Sequence, residues 1–297
     1  MKIEEFVEII MSRLSNELGD GFSVSYQKIL KNNSVEQDGI VVHRDGSSIA
    51  PTIYISGFFL EYLNGRELDE IIKDILRILD ESNSMVESGF FNIVDTSEPE
   101  KKVFMKLVNY EKNRKMLEDC LYDRVQDLAV LYCYMISCDG GITGSVKLSS
   151  KNCGVFNLTP EKIRKVALEN TIRMFPPEFE SMDSFFRRTL NFPGDSEIKL
   201  FLLTTNGKQD GAVSIMYTGI LERIKKTIGT DFYIIPSSIH EVIIVPGNDP
   251  DQKAALEQMV REVNSTCVPV HEILSDRIYH YPEDQFSVSA SGEGVDS

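Results

Sequence analysis

The chain has 297 residues, with 46 acidic against 31 basic ones and a formal net charge of -15. Hydrophobic residues make up 42% and charged residues 26%, the composition of an ordinary globular protein long enough to bury a core without metal or disulfide staples. The acidic balance argues against non-specific binding to nucleic acid or to an anionic membrane, because both need a basic surface.

The N-terminal run places Ile3, Phe6, Ile10, Leu14 and Leu18 on one helical face and stops at Gly19 and Gly21. Glu4, Glu5 and Glu8 interrupt the apolar stretch that a signal peptide would need there. No segment offers the ~18 uncharged residues of a membrane helix. Three β-like runs follow, SVSYQKILKNN, GIVVHRD and IAPTIYIS, separated by the turns NNSVEQDG and DGSS. A longer helix carries Leu68, Ile72, Ile75 and Leu79 on one stripe. The first third is thus expected to be α-β-β-β-α.

Residues 61–100 hold eleven acids and three bases. The next stretch reverses sign, with Lys101, Lys102, Lys106, Lys112, Arg114 and Lys115 against Glu111. Adjacent opposite blocks neutralise each other or keep a surface solvated. The basic strip is the one candidate contact for nucleic acid, which the surrounding acid disfavours. Ser97, Pro99 and Glu100 carry the signature of a helix start, yet Val103, Met105 and Leu107 alternate as a strand does. The expectation is an extended segment through Leu107 and a helix over Glu111 to Leu117.

The middle section predicts a strand, DLAVLYCYMI, a turn, CDGGITG, and a second strand, SVKLSS. A helix opens at Thr159 with Pro160 in its first turn and ends before Pro176 and Pro177. On its stripe, Asn170 is expected to tie the helix to nearby backbone. Pro177 to Asp195 reads as irregular, with a short helix through Phe185. In the last section EIKLFLLTT is a strand, NGKQDG a turn and AVSIMY a second strand. A helix over Leu221 to Ile228 closes on Gly229. FYIIP and EVIIVP are strands joined by SSIHE, and Asp249 caps a helix with Leu256, Met259, Val260 and Val263 on its buried side.

The fold class is therefore α+β, with mostly antiparallel sheets built from successive β-β-α units and helices packed on one face. The organisation divides as an α-β-β-β-α region over 1–96, a hairpin and helix region over 97–195, a β-β-α-β-β-α region over 196–282, and a flexible acidic tail over 283–297.

The densest chemistry is Pro236-Ser237-Ser238-Ile239-His240-Glu241, two hydroxyls, an imidazole and a carboxylate in one loop. A serine nucleophile needs a base in hydrogen-bond reach and a carboxylate to orient it, so Ser237 or Ser238 with His240 and Glu241 are the candidate catalytic residues. Neighbours in sequence rarely meet that geometry. A structural loop whose polar groups bond local backbone, or a ligand-binding loop, are the competing readings. The chain has five cysteines, Cys120, Cys133, Cys138, Cys153 and Cys267, without a CxxC pair. Reduced thiols in a cytoplasmic protein fit this pattern, and neither a disulfide framework nor a zinc site is expected. His43, His240, His271 and His280 are scattered, and His271 and His280 are expected at the surface. CDGGITGS and NGKQDG lack the Lys-Ser/Thr ending of a phosphate loop, and no G-x-G-x-x-G occurs, so no cofactor is expected.

The segments IAPTIYIS, KLVNYEKNRKML, DLAVLY, ALENTIRMFPP, DFYIIPSSIHEVIIVP and MVREVNSTCV followed by LSDRIYHY resemble an uncharacterised "domain of unknown function" family of low-GC Gram-positive bacteria, over most of residues 1–282. Over roughly residues 125–270 the chain is also distantly similar to the YtpQ-like family. The resemblance implies a cytoplasmic bacterial protein, from an accessory or mobile element, and implies no reaction. It marks Pro236, Ser237, Ser238, His240 and Glu241 as a family signature. The leading expectation is a binding or regulatory module without catalytic turnover, with a protein or small-molecule partner. The alternative is a hydrolase-like enzyme using Ser237 or Ser238 with His240 and Glu241.

Overall fold

A computed structural model of the chain describes residues 1–46, 50–87, 98–137, 143–190, 199–284 and 286. The expected turn at Cys138–Ile142, the end of the DGSS turn, Ser97, and residues 285 and 287–297 of the expected tail lie outside the described residues. The chain divides into two compact units, one of residues 1–31, 35–46, 50–87 and 137, the other of residues 32–34, 98–136, 143–190, 199–284 and 286.

In the first unit, α1 (Ile3–Leu18) buries Phe6, Val7, Ile10 and Leu14, the stripe that its spacing predicts. Strands β1 (Phe22–Leu30), β2 (Glu36–Arg44) and β3 (Thr52–Tyr54) form an antiparallel sheet in that order. A helix that the sequence pattern does not announce, α2 (Ile55–Leu63), starts directly at the end of β3. It has no side-chain cap, and its apolar residues continue the apolar run of the strand, so no boundary is visible in the sequence. Helix α3 (Leu68–Glu87) closes the unit with Ile71, Ile72, Ile75 and Leu79 in its core. Here part of the acidic block is paired internally, because Arg66 meets Glu61, Glu70 and Asp74.

The second unit holds two sheets. In one, β4 (Val103–Asn109) pairs with β6 (Leu128–Ser137), whose other neighbour is β5 (Tyr122–Val125), and β7 (Thr143–Lys147) also pairs with β6. A 3-10 turn and the short α4 (Arg114–Leu117) follow β4 as expected. Both faces of the sheet are covered. Val103, Met105, Leu107, Val130 and Tyr132 face one core, and Phe104, Val108, Leu131 and Cys133 face another. The free edge of β4 is closed by α5 (Pro160–Met174), whose Thr171 hydroxyl accepts the Met105 N–H at 2.9 Å. As expected, Thr159 caps α5 and the buried Asn170 ties it to backbone, donating to the Glu100 carbonyl at 2.6 Å. Arg164 of α5 grips Asp123 of β5 at 3.0 Å, with both side chains largely buried.

The other sheet is antiparallel in the order β12-β10-β11-β9-β8, from β8 (Pro177–Ser181), β9 (Phe201–Thr205), β10 (Phe232–Ile235), β11 (Val242–Pro246) and β12 (Tyr279–Tyr281). Pro177 to Asp195 is thus not irregular throughout. It supplies the edge strand β8, where proline is tolerated, and then α6 (Met182–Leu190). AVSIMY is not a strand either. Residues Gly211–Met216 form a buried 3-10 helix, because Gly211 packs directly on the His240 carbonyl and Ala212 N–H bonds the Ile239 carbonyl at 3.1 Å. Helix α7 (Ile220–Ile228) ends on Gly229 in the left-handed region, as predicted. Helix α8 (Pro250–Thr266) is capped by Asp249 and buries Val260, but Met259 and Val263 are exposed, so its apolar side is narrower than the pattern suggests. His280 is buried in β12 against Tyr233 and is no surface histidine, and Phe286 packs edge-on against Tyr279. Among the described residues no helix is long and apolar enough to cross a membrane.

Between α8 and β12 the chain has no long regular element; it is buried at Ile273 to Ser275, and the carbonyls of residues 270–275 need donors. Asparagine amides supply most of them. Asn33 donates to Val270 and Ile273 at 2.8 and 2.6 Å, Asn32 to His271 at 2.7 Å, Asn109 to Leu274 at 2.9 Å and Asn264 to Ser275 at 3.1 Å. The remaining one, Glu272, accepts the Ile239 N–H. Asn113 braces Asn33, donating to its side-chain oxygen at 2.9 Å and accepting its N–H at 2.8 Å. Asn33→Ala would strip partners from the buried Ile273 carbonyl, the part-buried Val270 carbonyl and the Asn113 amide. The expected loss of stability is on the order of 3 kcal/mol, read from denaturant unfolding of the full chain. A loss below about 1 kcal/mol would contradict this assignment.

Candidate functional site

The loop Pro236–Glu241 leaves β10 and enters β11, and its backbone is fixed on two sides. The Pro236 and Ser237 carbonyls accept the N–H groups of Ser275 and Leu274, and Ser238 bridges Ile273. On the other side the Thr204 hydroxyl donates to the His240 carbonyl at 2.8 Å. A Cβ at Gly211 would overlap both of these atoms, which explains glycine there.

The four candidate catalytic residues lie close together but do not form a relay. The buried Ser238 hydroxyl oxygen accepts the backbone N–H of His240 at 3.0 Å. Nδ1 of His240 accepts the backbone N–H of Asp210 at 3.2 Å, which puts the ring proton of the neutral imidazole on Nε2. That Nε2 faces Glu272 at 3.7 Å, and His271 faces the same carboxylate at 3.7 Å. No hydrogen bond joins the His240 ring to Ser237 or Ser238 among the described residues. Burial pushes the Glu241 carboxyl above the ordinary glutamate range, while His240 and the Ser238 hydroxyl lower it and Glu272 raises it.

The imidazole thus leads to Asp210, which the sequence pattern places in an ordinary turn. Asp210 has φ 52°, a conformation that aspartate tolerates better than most residues, and the His240 bond helps hold it there. Its carboxylate meets Lys106 Nζ at 2.7 Å. Lys106 is the partly exposed position of a strand whose other six residues are buried. Burial pulls its pKa down, but Asp210 more than offsets this and leaves it above the ordinary lysine value. The ion pair borders a cavity of about 120 Å³, walled by Phe104, Met135, Phe175 and Val213. A lone lysine inside the apolar run VFMKLV was the sequence signal for this site, because a charge in a buried strand demands a partner. Asp210 itself gave no such signal.

The remaining candidates are placed elsewhere. The basic strip is not one charged surface: Lys101 pairs with Glu98, Lys112 with Asp276 and Arg114 with Glu111. Cys133 and Cys153 belong to different cores, and burial pushes the Cys133 thiol up to about 12. Among the described residues no group of three or more His, Cys, Asp or Glu could hold a metal ion.

The family described as "Family of unknown function (DUF5688)" matches residues 3–283, and the chain belongs to it. No curated protein and no solved structure matches the chain.

Glu241 makes a pH prediction. A carboxyl whose pKa is raised by folding stabilises the fold while protonated. That contribution is present below the unfolded value of ~4.3 and is lost as pH rises through the folded value. Glu241→Gln stays neutral throughout. Calorimetric Tm values for both proteins from about pH 4 to about pH 7 are expected to diverge, the variant gaining on the wild type as pH rises. A difference that stays constant with pH would contradict the buried placement.

Proposed function

We propose that this DUF5688 member is a binding or regulatory module without catalytic turnover, and that its ligand meets the cavity beside Lys106 and Asp210. The observation that carries the reading is the bond from the Asp210 N–H to Nδ1 of His240. It commits the imidazole to positioning the aspartate, so that the His240 ring serves neither serine as a base. The Pro236–Glu241 loop then acts as a brace behind the ion pair. Small pockets with apolar walls and few charged groups are how proteins commonly orient small ligands.

The same reading makes the partner a small molecule rather than nucleic acid, since the candidate basic strip spends much of its charge on carboxylates of this chain. The free thiols of Cys120, Cys133, Cys153 and Cys267 support a reducing, cytoplasmic setting.

The test is treatment of the full chain with a fluorophosphonate, which captures activated serines, alongside a panel of chromogenic esters. The expected result is an unmodified mass and ester hydrolysis at the buffer rate. An adduct on Ser237 or Ser238 that His240→Ala abolishes would overturn the reading and bring back a hydrolase using Ser237 or Ser238 with His240 and Glu241.

A further inference from the structure

The chemistry of the cavity narrows what it can hold. Its lining is mixed: Phe104, Met135, Phe175 and Val213 are apolar, Ser145 and Gln209 are polar, and Lys106 and Asp210 add one ammonium and one carboxylate in contact. Lys106 has three N–H donors and spends one on Asp210, and the second oxygen of Asp210 remains to accept. Both groups keep unused hydrogen-bonding capacity at the cavity.

The pair is also neutral as a unit. A ligand with a single negative charge would leave the site net negative, inside a protein whose own charge is already -15. A singly positive ligand would leave the partly buried site net positive, and an uncharged apolar ligand would strand the remaining donors and acceptors. A ligand that carries both charges avoids all three costs. Its carboxylate accepts from Lys106, its ammonium donates to Asp210, and the four charges alternate around a closed ring.

Size sets the remainder. A dry cavity of ~150 Å³ accommodates the six carbons of benzene, so about 120 Å³ encloses fewer atoms than that, and because the cavity is partly open a ligand of about eight non-hydrogen atoms seats in it only in part. Phe104, Met135, Phe175 and Val213 give an apolar side chain a surface to pack on, beside the polar Ser145 and Gln209.

We propose that the Lys106–Asp210 cavity binds a small zwitterion with an apolar side chain, an α-amino acid of about the size of valine. The assignment rests on the reading of this cavity as a binding site. His240 is then a positioning residue, which holds the Asp210 backbone without touching the ligand.

The experiment is titration of the full chain with L-valine, L-leucine and L-methionine, followed by calorimetry and by backbone amide shifts. Isobutylamine and 3-methylbutanoate, which are valine without its carboxylate and without its amine, serve as the comparison. At least one of the amino acids is expected to bind saturably, shifting the amides of Phe104 and Val213, with each comparison compound weaker by roughly tenfold or more. Lys106→Met and Asp210→Asn are each expected to weaken binding by a similar factor. The shift map in the wild-type protein locates the site even if a variant fails to fold. Absence of saturable binding up to about 20 mM overturns the assignment, as does equal affinity for 3-methylbutanoate or binding mapped to another place. These results leave the non-catalytic reading intact. Binding with slow consumption of the amino acid would do the reverse, keeping the ligand class and removing the claim of no turnover.

Discussion

The second unit depends on how one stretch of irregular backbone is kept satisfied inside its core. The carbonyls of residues 270–275 all find donors, and four asparagine side chains supply five of the six. A buried carbonyl without a partner costs about 1–3 kcal/mol, comparable in sum to a large part of a domain's net stability. Asparagine suits the task because its amide carries two donors on a short, stiff side chain. Asn33 uses both, on Val270 and Ile273, while its oxygen accepts from Asn113. The asparagines come from distant parts of the chain, so the arrangement exists only when the unit is assembled.

From that fixed segment the geometry runs to the candidate site in short steps. The N–H groups of Leu274 and Ser275 hold the Ser237 and Pro236 carbonyls, and so fix the loop at the end of β10. The loop in turn presents His240 to the Asp210 N–H and its own carbonyl to Thr204 and the face of Gly211. Asp210 is thereby set in a left-handed conformation opposite Lys106. From that segment to the Asp210 N–H the links are hydrogen bonds of backbone groups, which give positional accuracy. In the proposed reading, the loop with the most reactive-looking residues is scaffolding for a quieter pair beside it.

Much of the architecture was legible in the sequence, because burial imposes a period. The stripes of α1 and α3, the cap and proline stops of α5, the Gly229 end of α7 and the hairpin partners β10 and β11 all follow from local pattern. Elements set by tertiary contacts were not. The segment after Asp210 carries strand-forming residues yet coils into a 3-10 helix, since the Ile239 and His240 carbonyls lie against it. Helix α2 is hidden because strand and helix share one apolar run without a cap. At the site, the serines, His240 and Glu241 were visible as residue types, but their roles were not, because side-chain partners such as Asp210 are thirty residues away. Asn32 and Asn33 fall in the turn NNSVEQDG in sequence, and only their distant acceptors reveal their function.

The account turns on which nitrogen of His240 carries the proton. A base that serves a serine would donate from one ring nitrogen to a carboxylate and receive the hydroxyl proton on the other. Here Nδ1 accepts from the Asp210 amide. Long-range proton–nitrogen correlation of the histidine rings, with His240 assigned by comparison to His240→Ala, reports this directly. The expected result is Nδ1 as an unprotonated acceptor, with the ring proton on Nε2. A ring protonated on Nδ1 would contradict it, because the Asp210 amide would then have no acceptor and the brace behind the ion pair would not exist.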